Sequence, residues 1–427
     1  MGSFDGSSKG FAGIGQNINY HEAIETPHMK HVIEQAMRNA SPEAIAFLDP
    51  LHPKKPDRID ASGLTEEEWK RRRVRSIGSS AASHVFGECP YPGTTNLDLY
   101  YEKTGQVPPP TKLEAELAEL CDKYGIDPSM PDSKKRQWYF DFGHIAEDIM
   151  HRYCEYLWPG HELIVDTNIY SSPARPFLTA NLDRMMKLRD GSYIHVEFKT
   201  ASAENKDGWR KPVLDPNTGE YFEEWAIPQH YKRQLIQCQH IMGVWESVLV
   251  VMFDRDNIIP ITYYRDLDEE MYQVKVCEDF WMNHVLTRVP PDLLLGDPKN
   301  LASCIRRYSG EADAALQTVS LPREFLEAVK KIEGINSLLS QERSLVRELE
   351  EEQAEAMLPL IEAIGRHYTA RVTDGKEAYS LSYKPRRGQR KIDFEQLRLN
   401  HPEIYAEYVS YPTEASRSMR IKKEKIG

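Results

Sequence analysis

The sequence lacks any run of eighteen apolar residues, the length that a membrane-spanning helix requires. Its N-terminal segment, MGSFDGSSKGFAGIGQ, also lacks the order of a charged region followed by an apolar one that marks a signal peptide. We therefore expect a soluble, intracellular protein without a membrane association.

Closely spaced cysteines are absent as well. The six cysteines lie far apart in the sequence, and no Cys-x-x-Cys pair occurs. Zinc ribbons and iron–sulfur clusters are built from close pairs, so the sequence argues against both kinds of site. We expect these cysteines to be small buried side chains.

An excess of positive charge is also missing, since 54 Lys and Arg face 66 Asp and Glu and the net charge is -12. This balance argues against a nonspecific DNA coat, but not against a DNA enzyme, for which the location of the basic residues matters. Each basic cluster taken singly also fits a solvated surface. The clusters are Arg71 to Arg75, Lys134 to Arg136, Lys384 to Lys391 and Arg420 to Lys425.

The chain of 427 residues is long enough for a catalytic core with appendages. We expect an N-terminal extension over residues 1–60, with a helix across Tyr20 to Asn39. An α/β domain should follow over residues 61–290, because helical and strand periodicities mix there. Residues 291–320 read as a connector, and residues 321–427 as a C-terminal extension.

A helix is predicted to start at Leu321, with Pro322 in its first turn. Apolar or small residues then recur at nearly heptad spacing from Phe325 to Leu349, interrupted by Glu342. Pro359 should kink or end this helix. The pattern fits an oligomerisation or protein-docking helix, and it fits equally a helical hairpin packed on its own core.

The rest of the extension suggests a small hairpin, TARVTDGKEAYSLSYK, followed by a helix over Phe394 to Tyr408. The extension as a whole reads as a helical, coiled-coil segment with a small basic α/β end that contacts DNA. The polar loop over residues 201–225 fits three roles equally: covering the site, contacting DNA or mediating assembly.

The most informative stretch runs from Phe177 to Thr200, where two strand-like segments flank the turn signal at residues 189–191. A two-residue turn would set Asp183 opposite Phe198, away from Glu197. A three-residue loop with Gly191 in the left-handed conformation would set Asp183 opposite Glu197.

The side-chain pattern favours the three-residue loop. In that register one face of the hairpin carries Asp183, Glu197 and Lys199. The other face collects apolar residues, interrupted only by Arg184: Leu182, Met186, Leu188, Ile194, Val196 and Phe198.

These residue types suit phosphodiester hydrolysis. Two carboxylates on neighbouring strands, Asp183 and Glu197, can share a hard cation such as Mg²⁺ or Mn²⁺, which prefers oxygen ligands. Lys199 lies two residues beyond Glu197 on the same face, so its ammonium can orient water or stabilise the transition state. The hairpin alone fits an ordinary solvated sheet face equally well.

Two predicted helices flank this hairpin. Upstream, Phe142 to Leu157 is amphipathic, with Glu147 at the flank of an apolar stripe that we assign to Phe142, Ile145, Ala146, Ile149 and Tyr153. Downstream, a helix opens at Pro228 and carries Gln234 at the edge of its core face, one turn from Tyr231. Gln234 and Glu147 each border the predicted site, although either can be a plain surface residue.

The order of these motifs resembles the YqaJ-type viral recombinase family, which includes the exonuclease of phage lambda. The resemblance rests on five ordered elements: Trp69-x-x-x-Arg73 with Ile77 to Ala82, Asn96 to Gly105, Gly143-x-x-x-Glu147, Leu182-Asp183 with Glu197-Phe198-Lys199, and Tyr231-x-x-Gln234. Together they span about Trp69 to Val251.

The resemblance implies an α/β (α+β) PD-(D/E)XK fold, with a mixed central sheet flanked by helices. It also implies Mg²⁺-dependent 5′-to-3′ digestion of one strand of linear double-stranded DNA from its end, with two metal ions per site. Asp183, Glu197 and the backbone carbonyl of Phe198 would hold one ion, and Glu147 would lie near the second. Lys199 would handle the attacking water.

By the same resemblance, Arg73 and Ser80 would bind the terminal 5′-phosphate, with Arg72 able to replace Arg73. Tyr231 and Gln234 would complete the catalytic site. The family often forms closed rings and works beside a single-strand annealing protein in phage recombination. The expected setting is therefore the cytoplasm of a bacterial host, with a phage or prophage as the source.

Two other functions also fit these residues. One is a PD-(D/E)XK endonuclease that acts in defence or repair, and the other is a non-catalytic DNA-binding protein. The second is disfavoured because the acidic and basic residues that the chemistry needs are all present.

Overall fold

The computed structural model describes residues 26–61, 63–126, 130–216, 218–310, 315–373, 377–384 and 392–409. The chain divides into two compact units, the first comprising residues 1–310 with 409–414 and the second residues 311–408 with 415–427. No helix among the described residues combines the length and apolarity needed to cross a membrane.

The first unit is an α/β structure. Its described α-helices are α1 (Pro27–Asn39), α2 (Pro42–Leu48), α3 (Glu66–Val74), α4 (Ala82–Val85), α5 (Asn96–Thr104), α6 (Lys112–Tyr124), α7 (Met130–Leu157), α8 (Gln229–Met242), α9 (Leu267–Asp279) and α10 (Pro298–Ser309). Its described strands are β1 (Asp57–Asp60), β2 (Ile77–Gly78), β3 (Glu162–Ile164), β4 (Asn168–Ser171), β5 (Leu178–Asn181), β6 (Arg184–Lys187), β7 (Tyr193–Thr200), β8 (Arg210–Leu214), β9 (Tyr221–Trp225), β10 (Glu246–Asp254) and β11 (Asn257–Tyr264).

A mixed sheet lies at the centre of this unit, with described strands in the order β11-β10-β7-β6-β3. Strands β7 and β10 pair in parallel, while the other neighbours pair antiparallel. The interior position of β10, between β11 and β7, follows from its sequence, since the run Val248 to Val251 is apolar on both faces and buried. A second sheet has the order β1-β4-β5-β2.

The turn between β6 and β7 has the predicted geometry. Leu188 donates its backbone N–H to Ser192 and accepts one from Gly191, and Gly191 has a φ of +88°. Arg184 pairs with Val196, so the register continues to Asp183 opposite Glu197. The three-residue loop is therefore confirmed.

The apolar face behind the hairpin is confirmed with one exception. Met186, Ile194, Val196 and Phe198 belong to one buried cluster, with Leu188 packed at its edge. Leu182 instead packs in a different cluster, with the β5 residues. The chain passes from one sheet to the other between β5 and β6, and this crossing breaks the alternation that the prediction assumed.

Helix α7 buries a different face from the one predicted. Ala146, Met150 and Cys154 are buried in the same cluster as the hairpin, and Tyr153 packs beside them. The other predicted members, Phe142, Ile145 and Ile149, are exposed. The small side chains of Ala146 and Cys154 let the helix lie close to β7, against which it packs.

Two segments expected outside the core are part of it. Strand β1 pairs with β4, and helix α1 buries Met29, Val32 and Ile33 in the cluster shared with α7. The described part of residues 1–60 is therefore an element of the fold rather than an extension, and of the predicted helix only residues 26–39 are described. Helix α10 lies within the expected connector and likewise buries Cys304, in the cluster that contains Leu182.

The segment over residues 201–225 is also more ordered than a polar loop. It forms a 3₁₀ helix over Ala203–Trp209 and an antiparallel ribbon of β8 and β9. Trp209 is buried against Leu235 and Phe253 and anchors this insertion to the central sheet.

The second unit contains α11 (Phe325–Ile364), the hairpin of β12 (Thr369–Thr373) and β13 (Ala378–Ser382), and then α12 (Phe394–Asn400) and α13 (Pro402–Tyr408). The hairpin is as predicted. Helix α11 starts later than Leu321 and continues through Pro359 to Ile364, because the proline removes one backbone donor only five residues before the end. The last predicted helix is two helices, broken before Pro402, which restricts the residue that precedes it.

All six cysteines are buried, as expected.

Candidate active site

Asp183, Glu197 and Lys199 meet at one end of the β6–β7 hairpin. Asp183 directly precedes β6, and its Oδ2 accepts a hydrogen bond from the backbone N–H of Phe198 at 2.8 Å. This bond fixes the carboxylate against the neighbouring strand. Glu197 and Lys199 project from the same face of β7, as the pleat requires.

Glu197 is the buried centre of the site. Its Oε1 accepts hydrogen bonds from Lys199 Nζ at 2.5 Å and from Gln234 Nε2 at 2.6 Å. Its Oε2 is buried and has no hydrogen-bond partner among the described residues, although His195 Nε2 lies 3.4 Å away. One carboxylate oxygen is thus held by the protein, and the other is left available.

Burial and neighbouring charges separate the pKa values of the two carboxylates. Burial, and then the charge of Glu197, raise the pKa of Asp183 well above its ordinary value. Burial alone would also raise the pKa of Glu197, but the Lys199 ammonium and His195 lower it to about 2. Burial opposes the charge of Lys199, yet Glu197 and Asp183 hold its pKa above the ordinary value. Lys199 is therefore a cation at neutral pH.

Glu147 adds a third carboxyl group to this region. It lies on α7 with 32% of its side chain exposed, and His144 Nδ1 is 3.9 Å from its Oε1. Burial raises the pKa of Glu147, and the nearby charge of Glu197 adds to the shift.

A cleft of about 820 Å³ joins the carboxylates to the arginine-rich helix α3. Seven of the nine residues predicted for the site line it: Arg73, Ser80, Glu147, Asp183, Glu197, Lys199 and Gln234. Arg71, Arg72 and Arg75 line it as well, so this basic cluster does gather at the site. The clusters at residues 385–391 and 420–425 lie outside the described residues, and the side chains of Lys134 to Arg136 are likewise not described.

Arg73 is held from two sides. Its guanidinium lies over the Trp69 ring at 5.3 Å from the centroid, and its Nε is 3.7 Å from Glu102 Oε1. The buried Lys103 donates to the backbone carbonyl of Arg73 at 2.7 Å and to Glu102 at 3.0 Å. Helix α5 thereby fixes the end of α3 that faces the cleft.

The two site residues predicted on α8, Gln234 and Tyr231, lie in different positions relative to the cleft. Gln234 donates directly to the Glu197 carboxylate, whereas Tyr231 is not part of the cleft lining. The Tyr231 ring lies 5.7 Å from Lys199 Nζ, stacks on Trp209, and places its hydroxyl 3.3 Å from that of Tyr91. The role of Tyr231 next to Lys199 stays a prediction, as do the roles of the other site residues.

His195 was not among the site residues predicted from the sequence. It is fully buried, it lies two residues before Glu197 on the same face of β7, and its Nδ1 is 3.3 Å from Ser247 Oγ. The alternation along β7 was the signal that could have found it, because His195, Glu197 and Lys199 share one face.

The residues present fit a hard divalent cation. Three carboxylates converge with a single lysine, and burial and the Glu197 charge disfavour the ionised form of Asp183 in the absence of a further positive charge. The available oxygens, including the partnerless Glu197 Oε2, are the donor type that Mg²⁺ and Mn²⁺ prefer. The chemistry of the donor set therefore supports the metal site that the sequence predicted.

A mixed sheet flanked by helices, with Asp183 opposite Glu197-x-Lys199 on adjacent strands, is the arrangement that the sequence predicted for a PD-(D/E)XK fold. Residues 68–247 match the model of the YqaJ-like viral recombinase domain. Over these residues the resemblance seen in the motifs is therefore confirmed.

Two solved structures are similar to this chain. One is an alkaline exonuclease (LHK-Exo) from Laribacter hongkongensis, 14% identical over 52% of this chain and 94% of that chain, with a TM-score of 0.32. The other is LHK-Exo in complex with dAMP, 13% identical over the same shares, also with a TM-score of 0.32. No curated protein matches the chain significantly.

Proposed function

We propose that this protein is a metal-dependent exonuclease that digests one strand of linear double-stranded DNA from its 5′ end. The observation that carries the proposal is the shared cleft, in which the Arg73 and Ser80 side chains face the same space as Asp183, Glu197 and Lys199. A nuclease site combined with a phosphate-binding wall suits an enzyme that acts at a DNA end.

Lys199 acts in this proposal as a hydrogen-bond donor and a fixed positive charge. The neighbouring charges of Glu197 and Asp183 oppose the effect of burial and raise its pKa above the ordinary value, which favours the ammonium form. Lys199 can orient the attacking water and counter the charge that develops on the scissile phosphate. Its bond to Glu197 holds it in place for both roles.

Asp183, Glu197 and the backbone carbonyl of Phe198 would hold Mg²⁺, with Mn²⁺ able to replace it, and Glu147 would lie near a second ion. Such an ion supplies a Lewis acid that activates water and neutralises phosphate charge. Gln234 keeps Glu197 oriented by donating to the oxygen that Lys199 also contacts.

Arg73 and Ser80 would bind the terminal 5′-phosphate. Because an arginine fork meets two phosphate oxygens at once, a guanidinium fixed by Trp69 and Glu102 is suited to this task. The neighbouring arginines of α3 would bind the following phosphates of the strand, with Arg72 as the other candidate for the terminal one.

A single comparison of substrates tests the proposal. Linear duplex with a 5′-phosphate, linear duplex with a 5′-hydroxyl, and covalently closed circular duplex are each incubated with Mg²⁺. We expect stepwise loss of a label at the 5′ end, faster with the phosphate, and an intact circle. Cutting of the circle would support the endonuclease alternative, and intact linear DNA in both Mg²⁺ and Mn²⁺ would overturn the nuclease assignment.

The proposed biological setting is phage-type homologous recombination by strand annealing, where resected duplex ends are the substrate of an annealing protein. A homo-oligomer that encircles DNA belongs to the same proposal. Pull-down of a single-strand annealing protein by the full chain, with and without resected DNA, tests the partnership.

A further inference from the structure

Helix α11 has an exposed apolar face along its length. It spans 40 residues, which is about 60 Å at ~1.5 Å per residue. Ile335, Leu339, Val346 and Leu349 are 46%, 47%, 53% and 54% exposed. A row of exposed large apolar side chains on a described helix is typical of an interaction site.

The spacing on this face is that of a helix pair. Ile332, Ile335, Leu339, Val346 and Leu349 follow steps of three and four residues, so they form one seam at a 3.5-residue period. Glu342 occupies the remaining position of the seam between Leu339 and Val346.

We propose that two copies of this chain pair through α11 as an antiparallel coiled coil centred between Leu339 and Glu342. In this register Ile335 faces the partner subunit's Val346, and Ile332 faces the partner subunit's Leu349. Apolar residues thus meet apolar residues in the layers on both sides of the centre.

Glu342 favours the antiparallel direction. An in-register parallel pair would set Glu342 against Glu342 of the partner subunit inside the seam, where two carboxylates repel and lose hydration. In the antiparallel register each Glu342 lies opposite the partner subunit's Leu339, so the two carboxylates fall in different layers and each can reach solvent at the edge of the seam.

The charge along the helix gives the same direction. The half from Leu345 to Ile364 carries six glutamates and one arginine, whereas the half from Phe325 to Ser344 carries three basic and three acidic residues. A parallel pair would align the two acidic halves. An antiparallel pair aligns each acidic half with a neutral one.

The flanking positions agree with this arrangement. Lys331 comes opposite the partner subunit's Glu352, which adds an ion pair of opposite charges. Leu338, which is 62% exposed, comes opposite the partner subunit's Leu345 and widens the apolar seam.

The mass of the full-length protein in solution tests the pairing. Leu339→Asp places a charge in the seam, and Ser337→Asp places the same charge on the opposite, exposed face of α11 as a matched control. By light scattering at micromolar concentration, we expect Leu339→Asp to halve the mass and Ser337→Asp to leave it unchanged. A monomeric wild type, or an unchanged mass for Leu339→Asp, would overturn the proposal.

Cross-linking tests the direction without relying on a destabilised variant. Full-length Ile335→Cys and Val346→Cys proteins are mixed and oxidised, with Ser337→Cys as the control. We expect a disulfide between the two different variants and none within either variant alone or with the control. A disulfide within Ile335→Cys alone would show a parallel pair, and no cross-link in the mixture would overturn the seam itself.

Discussion

At the scale of single residues, Asp183 is the residue whose proposed function most clearly opposes the stability of the protein. Burial and the charge of Glu197 both oppose ionisation of its carboxyl group, and together they raise its pKa. A group with a raised folded-state pKa loses its stabilising contribution as the pH rises above the ordinary value, so an ionised Asp183 destabilises the metal-free protein at neutral pH.

Asp183→Asn should therefore reduce DNA cleavage by at least about 100-fold, since even residues behind a metal ligand cost about 10- to 100-fold. The same variant should be as stable as the wild type or more stable in EDTA at pH 8, because the amide still accepts the Phe198 N–H. Thermal melting with EDTA and with Mn²⁺ measures this, and the stabilisation by Mn²⁺ should be lost. A variant that melts well below wild type in EDTA would contradict the account.

His195 yields a second prediction at this scale. It lies 3.4 Å from the otherwise partnerless Oε2 of Glu197, so it orients this carboxylate from behind. His195→Asn should lower Mn²⁺ affinity and activity by about 10- to 100-fold. Calorimetry with Mn²⁺ measures the affinity, and Ser247→Ala, which touches only the far nitrogen, should have a smaller effect. Wild-type metal affinity in His195→Asn would remove the assigned role.

At the scale of elements, helix α3 is expected to bind the terminal 5′-phosphate of the DNA. Arg73→Gln should raise the KM for 5′-phosphorylated duplex by roughly 10- to 100-fold, the range for a lost charged hydrogen bond, while kcat changes less. The preference over a 5′-hydroxyl end should disappear. Arg71→Gln is the matched comparison, because Arg71 lies on the same helix and lines the cleft but pairs with the exposed Glu67 at 3.0 Å, so this variant should weaken binding of both kinds of end alike and keep the preference for the 5′-phosphate. A phosphate preference that persists in both Arg73→Gln and Arg72→Gln would exclude this helix as the end sensor.

The segment that follows α3 should make the fold sensitive to acid. Burial lowers the pKa of His84, on α4, to about 4, so His84 is neutral in the folded protein. A depressed pKa gives stability that is present above the ordinary value of 6.5 and is lost as the pH falls towards 4. His84→Asn should reduce that loss, which is up to about 3 kcal/mol. Urea unfolding of both proteins at pH 7.5 and pH 5 measures it, and equal pH dependence would contradict it.

At the scale of the whole molecule, catalysis should belong to the first unit. The buried clusters around the central sheet and every candidate site residue lie within residues 1–310. A fragment ending at Gly310 should fold cooperatively and cleave linear duplex at close to the wild-type rate per site. Circular dichroism and the end-label assay check this, and an insoluble or inactive fragment would show that the second unit is required.

The sequence by itself determined the local features of the site. The turn at residues 189–191 and the alternation along β7 were sufficient to set Asp183 opposite Glu197, because a register shift of one residue would have exposed the apolar face. The order of the motifs along the chain then added Arg73, Ser80, Glu147 and Gln234 to the predicted site.

Only the tertiary structure decided which surfaces are covered. Helix α7 has two apolar faces, and the choice between them depends on the close approach that Ala146 and Cys154 allow to β7. Leu182 changed cluster because the chain crosses between sheets at that point, and His195 acquired its position behind Glu197 from packing against β10. Local patterns set the order of side chains along an element, whereas burial depends on the neighbour that an element meets, and the neighbour is distant in sequence.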